Sequence, residues 1–94
     1  MKDDNFLREN NARHMWHPMG HQGQQQANPP VIVTEASGVR ITDIDGRKMV
    51  DAVGGLWNVN LGYSCEPVKE AISDQLNQLP YYSSFAGTSN YAAI

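Results

Sequence analysis

The chain has 94 residues, 40% of them hydrophobic and 18% charged, with a formal net charge of -3. That is enough for one small domain, which if compact would bury roughly 65% of the surface its unfolded chain exposes. An acidic balance gives no electrostatic reason to expect nucleic acid or an anionic membrane as a partner, and no apolar run approaches the ~18 residues of a membrane span.

From the N-terminus, Asp4 to about Arg13 reads as a short helix capped by Asp4 or Asn5, with too thin an apolar stripe to stand without docking. His17-Pro18 and Gly20 end it. His21 to Pro30 (HQGQQQANPP) offers little to bury and reads as a polar connector closed by a proline pair. Val31 to Ala36 is a β-branched strand, Ser37-Gly38 a turn, and Val39 to Ile44 alternates with period two. Asp45-Gly46 suits a tight hairpin, because both residues tolerate positive φ. Arg47 to Val53 then returns as a third strand, giving an antiparallel meander.

Glu66-Pro67 opens an amphipathic helix, with proline at a first-turn position that needs no N–H. Val68, Ala71, Ile72, Leu76 and Leu79 fall on one face, and Pro80 stops the helix. An aromatic, hydroxyl-rich loop follows (YYSSFAGTSNYAAI), in which Tyr91 to Ile94 looks like the first turn of a further helix. With nothing left for that loop to pack on, the sequence reads as the opening of a larger protein. The expected organisation is 1–30 helix and connector, 31–64 meander plus loop, and 65–94 amphipathic helix and aromatic loop. An acidic opening (MKDDNFLREN) is unlike an export signal, and the single cysteine, Cys65, leaves no internal disulfide to expect; both favour the cytoplasm.

Several tempting chemistries fail on spacing. His14, His17 and His21 would share a helix face, but Pro18 and Gly20 break it, and no cysteine or carboxylate completes a metal shell. No metal site is expected. Asp43, Asp45 and Asp51 lack the spacing of a calcium loop and read as structural. Cys65 stands at a helix start without a histidine or second cysteine in sequence reach, so it is not read as a nucleophile.

The stretch Asp51–Ser64 (DAVGGLWNVNLGYS) is odd: a glycine-bracketed segment that carries Leu56, Trp57, Val59, Leu61 and Tyr63. On residue type alone Trp57 would be a core tryptophan over the meander. Together with HMWHPMG (14–20), GVRITDIDGRKMVDAVGGLWNVNLGYS (38–64) and AISDQLNQLPYYSSFAGTSN (71–90), it resembles the N-terminal segment of class III pyridoxal-phosphate-dependent aminotransferases. The ω-aminotransferases, and among them the taurine–pyruvate type, are most similar, over essentially the whole chain.

The resemblance implies an α/β protein of fold type I. This chain would supply its N-terminal helix, small antiparallel β meander and following amphipathic helix. It implies a transaminase that moves an amino group from a short ω-amine such as taurine or β-alanine to an oxo-acid such as pyruvate, using pyridoxal 5'-phosphate in a homodimer. Leu56 and Trp57 are similar to the family's pocket-wall residues. The resemblance places Phe85 in the family's loop that reaches toward the partner subunit's pocket, with a hydrophobic staple as the bland alternative. Met19 stands where the family often has an aromatic at the substrate entrance, a departure that leaves flexible packing as its other reading. Catalytic and cofactor-binding residues are not expected within these 94 positions: Lys2, Lys48 and Lys69 do not match the family's Schiff-base lysine, so the chain alone should be inactive. The related branch that makes 7,8-diaminononanoate shares WHP but differs at GGLWNVN. A non-catalytic interaction module is the remaining reading, on the aromatic character of GGLW and YYSSF.

Overall fold

A computed structural model describes residues 3–94; the reading of Lys2 lies outside them. The chain divides into two compact units, the first running through Tyr63 and the second from Ser64 to Ile94.

In the first unit, helix α1 (Asp4–His14) is capped one residue before the expected position. Asp3 accepts the Phe6 N–H at 2.7 Å, while Asp4 in the first turn and Arg13 and His14 in the last complement the helix dipole. The segment read as a polar connector is a helix instead, α2 (Gln22–Ala27). Glutamine is a good helix former even where it has nothing apolar to bury. The Gln22 amide also reaches the free carbonyls at the end of α1, donating from Nε2 to Ala12 O at 3.5 Å and Arg13 O at 3.3 Å. Ala12, against which α2 packs, is the buried apolar residue of the described chain.

The meander forms as expected, with shorter strands: β1 (Val33–Ser37), β2 (Arg40–Asp43) and β3 (Lys48–Val50), in sheet order β1-β2-β3. β1 pairs antiparallel with β2, Ser37 opposite Arg40 and Glu35 opposite Thr42, with a bulge between Val33 and Glu35. β3 pairs Met49 with Ile41. Gly38, at φ 59, occupies the first central position of the β1–β2 turn, where positive φ matches the twist of the strands.

The second hairpin is built differently from the tight Asp45-Gly46 turn expected. Only Gly46 takes positive φ, at 78°, and its N–H closes the loop on Asp43 O at 2.9 Å. The loop is organised by the buried carboxylate of Asp43, which accepts from Asp45 N–H (3.0 Å), Arg47 N–H (2.9 Å) and Arg47 Nε (2.7 Å). Arg8 on α1 ion-pairs with Asp45, tying the helix to the hairpin.

In the second unit, helix α3 (Glu66–Gln78) starts and stops where Pro67 and Pro80 require. Lys69 ion-pairs with Glu66 one turn away at 2.7 Å. The expected helical turn at Tyr91 is a short 3-10 turn, Tyr91–Ala93, capped by Asn90 accepting from Ala93 N–H at 3.1 Å. With residues of the apolar α3 face it lines an open groove.

The core is small. Among the described residues only Ala12 and Asp43 are buried, and the accessible surface is 8042 Å². On the apolar face of α3, Val68, Ile72 and Leu76 are 44–56% exposed.

Candidate functional site: a strained aromatic turn

The glycine-bracketed segment is a turn fixed from both ends. Gly54–Trp57 has helical hydrogen bonding at its edges, with Asn58 N–H donating to Gly54 O at 3.1 Å, but its interior is not helical: Gly55 sits at φ 67, ψ -122 and Leu56 at φ -108, ψ 57. The Asp51 carboxylate lies beneath it. Oδ1 accepts from Gly54 N–H at 3.0 Å, and Oδ2 accepts from Gly55 N–H at 2.8 Å and from the Tyr63 hydroxyl. The Asn58 side chain accepts from Leu56 N–H at 3.0 Å.

The far end is tied to the meander. Tyr63 N–H donates to Gly38 O at 2.8 Å and Asp51 N–H to Val39 O at 2.9 Å. Gly62 passes so close that a Cβ there would lie 2.8 Å from Gly38 O. This explains the glycine usage: all three take positive φ, and Gly62 in addition allows the close approach.

The hydrogen bonds set the electrostatics. The Tyr63 hydroxyl first, then the N–H of Gly55, hold the Asp51 carboxyl below its ordinary value, against a smaller opposing effect of burial. The same bond raises the Tyr63 phenol, with desolvation adding to it. The turn thus rests on an ionised carboxylate and a neutral phenol at neutral pH.

Leu56 and Trp57 project from this turn 76% and 78% exposed, so Trp57 is not a core residue within the described chain. Trp57 is also at φ 61, a conformation uncommon for a bulky side chain. Met19 lies on a separate loop of the same unit. Its turn has the hallmarks of type II, with Pro18 second, Met19 third at φ 60, and Gly20 N–H donating to His17 O at 3.2 Å. Glycine or asparagine is usual at that third position, and a bulky residue there costs roughly 1–2 kcal/mol. Phe85 belongs to the second unit, in a 3-10 turn whose next residue, Ala86, is at φ 56. Thr88 secures that turn, its hydroxyl donating to Ser83 O at 2.6 Å or Phe85 O at 2.9 Å. The described non-glycine residues at positive φ are Met19, Trp57 and Ala86. Each is, or directly follows, a residue singled out from sequence. Asp51, Asn58 and Tyr63 were not singled out as supports of the turn. The available signal was the D-x-x-G-G spacing, which places an acceptor three and four residues before two free N–H groups.

Of the lysines described, Lys48 lies in β3 and Lys69 ion-pairs with Glu66. Among the described residues no three His, Cys, Asp or Glu side chains are grouped to hold a metal ion, and no helix is long and apolar enough to cross a membrane.

Comparison with known proteins gives the segment its context. The profile of the aminotransferase class-III family matches residues 21–93. The hypotaurine/taurine–pyruvate aminotransferase of Paracoccus denitrificans is 43% identical over 76 residues, which are 80% of this chain and 17% of that protein. The adenosylmethionine-8-amino-7-oxononanoate aminotransferase of Geobacter sulfurreducens is 29% identical over 92 residues, 98% of this chain and 20% of the relative. This chain therefore spans about a fifth or less of the curated relatives it matches.

Among solved structures, a transaminase obtained by directed evolution through ancestral reconstruction superposes with a TM-score of 0.82 at 41% identity, over 96% of this chain and 20% of that one. A thermostable ω-transaminase variant superposes at 0.77 with 28% identity, over 89% of this chain and 19% of its own. That variant, engineered for asymmetric synthesis of enantiopure bulky amines, replaces a tryptophan, a phenylalanine and an arginine. Its tryptophan and phenylalanine are separated by the same number of residues as Trp57 and Phe85 here. The helices and small antiparallel sheet agree with an N-terminal segment of the transaminase fold, and the chain belongs to the class-III aminotransferases.

Proposed function

We propose that this chain forms the substrate-pocket wall of an ω-aminotransferase that transfers an amino group from a short ω-amine, such as taurine or β-alanine, to pyruvate. Pyridoxal 5'-phosphate would supply the carbon-acid chemistry when bound in the whole enzyme. The residues here would bind and exclude: Leu56 and Trp57 as an apolar wall, Met19 at the entrance, and Phe85 reaching the partner subunit's pocket in a homodimer. The observation that carries this reading is the exposed, left-handed Trp57 on a turn pinned by Asp51. A bulky residue held strained and uncovered fits a ligand-facing role better than packing. The matching tryptophan–phenylalanine separation in an enzyme engineered for bulky amines supports the same assignment.

The test is a chimera in which this chain replaces the matching segment of the Paracoccus denitrificans relative. Alanine formation from pyruvate is assayed with taurine, β-alanine, putrescine and a bulky aryl amine. Activity with a short donor above the aryl amine is the expected result. A soluble chimera that binds the cofactor but transaminates none of these donors would sink the proposal. The Geobacter sulfurreducens relative suggests a second donor, adenosylmethionine, for the same panel. The lower identity ranks it behind the short amines.

A further inference from the structure

We infer that Asp51 and Tyr63 form a positioning clamp that holds the Gly54–Trp57 turn, and with it the indole of Trp57, at the angle that sets donor size. The inference rests on the pocket-wall reading above and adds residues that do not themselves line the wall.

The geometry is specific. One carboxylate takes three donors, the N–H groups of Gly54 and Gly55 and the Tyr63 hydroxyl, at the two ends of a thirteen-residue loop. Gly54 and Gly55 are at φ 69 and 67, and Trp57 at φ 61. Packing against the described residues covers little of the turn's large side chains, since Leu56 and Trp57 are both more than 70% exposed. A strained, uncovered turn persists only when something else over-determines it. Here that is the carboxylate below the turn, the Asn58 acceptor for Leu56 N–H, and the anchoring of Tyr63 N–H and Asp51 N–H on the first hairpin turn. Charge-assisted hydrogen bonds to backbone N–H groups are the strong kind. Asparagine at position 51 would keep the shape but present a donor to one of the two glycine N–H groups, leaving it unpaired. The phenol at position 63 donates to the same carboxylate oxygen that accepts from Gly55 N–H, so removing the hydroxyl weakens the clamp without altering the glycines themselves.

Two measurements test this. In the isotope-labelled full chain, amide exchange of Gly54 and Gly55 should accelerate about tenfold in Asp51→Asn, less in Tyr63→Phe, and no further in the double variant. The amides shared by β2 and β3 should stay protected. Unchanged exchange at Gly54 and Gly55, or equal opening of the sheet, overturns the clamp. In the chimeric transaminase, Asp51→Asn should lower the preference for a short over a bulky donor about tenfold, through KM rather than kcat, in the direction of Trp57→Gly. If Trp57→Gly moves the donor profile and Asp51→Asn does not, the clamp does not set specificity and the inference falls while the pocket-wall reading stands. If neither variant moves it, the wall itself is wrong. A soluble, cofactor-binding chimera without transaminase activity fails the functional proposal, and the exchange measurement then decides the clamp alone.

Discussion

At the scale of single residues, the decisive feature is a tryptophan in a conformation that tryptophan avoids. Trp57 sits at φ 61 and is 78% exposed, so packing against the described residues does not account for its place. In a transaminase carrying this segment, Trp57→Gly should admit bulkier amines and weaken binding of short ones. The loss of a packed wall amounts to about 1–3 kcal/mol of discrimination, read as kcat/KM ratios across a donor series. An unchanged ratio would make Trp57 a bystander. Asp43 and Asp51 lead to a prediction about pH. Burial raises Asp43, but the Arg47 N–H and guanidinium together outweigh it, and the Tyr63 hydroxyl leads in lowering Asp51; both lie below the ordinary 3.8. Each carboxylate therefore stays ionised in the folded unit where the unfolded chain already binds protons. Their contribution is complete above 3.8 and is lost as pH falls through the lowered values. Urea midpoints of the chain should be flat near neutrality and drop below pH 4, and Asp43→Asn should start lower and lose most of that drop. An acid limb that persists in both Asp43→Asn and Asp51→Asn would place the effect elsewhere.

At the scale of elements, the meander and the amphipathic helix follow from period and punctuation, and the misreadings have local causes. The helix Gln22–Ala27 carries no apolar stripe, so no periodicity announces it; it forms where the Gln22 amide finds the free carbonyls at the end of the first helix. The second hairpin was read from Asp45-Gly46, whereas the buried Asp43 organises it, by accepting from Asp45 and Arg47 within the same loop. The glycines divide into two kinds, and this yields a paired prediction. Gly38 and Gly62 both have positive φ, but a Cβ at Gly38 meets open space while one at Gly62 meets Gly38 O at 2.8 Å. Gly38→Ala should cost roughly 1 kcal/mol from backbone strain alone, and Gly62→Ala roughly 2–3 kcal/mol because the loop must also move off the meander. Equilibrium unfolding followed by circular dichroism separates them. Equal costs would mean the close approach carries no weight.

At the scale of the whole molecule, most of the apolar side chains are uncovered, and the chain spans only about a fifth or less of the relatives named above. In the second unit the helix Glu66–Gln78 and the turn at Tyr91 and Ala92 bound an open apolar groove of about 630 Å³. Phe85, on its own strained turn, is assigned by the proposal to the neighbouring subunit's pocket. Mixed dimers would show this: one subunit carries Phe85→Ala and the other lacks the catalytic lysine of the whole enzyme. With Phe85→Ala placed in the lysine-less subunit, the surviving site should shift its donor profile. Retention of the wild-type profile there would confine Phe85 to packing within its own subunit.

What the sequence by itself determined is local: three short strands, a proline-bounded amphipathic helix, the family, and the aromatic positions worth suspecting. These follow from side-chain period, from proline and glycine, and from a motif whose residue types recur at fixed spacing. What only the tertiary structure decided is which residues hold the suspected ones in place. That Asp51 reaches Gly54, Gly55 and Tyr63 at once, and that Gly62 must lie bare against Gly38, depends on the loop closing back on the first hairpin turn. The longest of these, Asp51 to Tyr63 and Gly62 to Gly38, join residues 12 and 24 positions apart through a hydrogen bond and a close approach. They leave no periodic trace in a sequence, because they depend on distance in space and not on spacing along the chain.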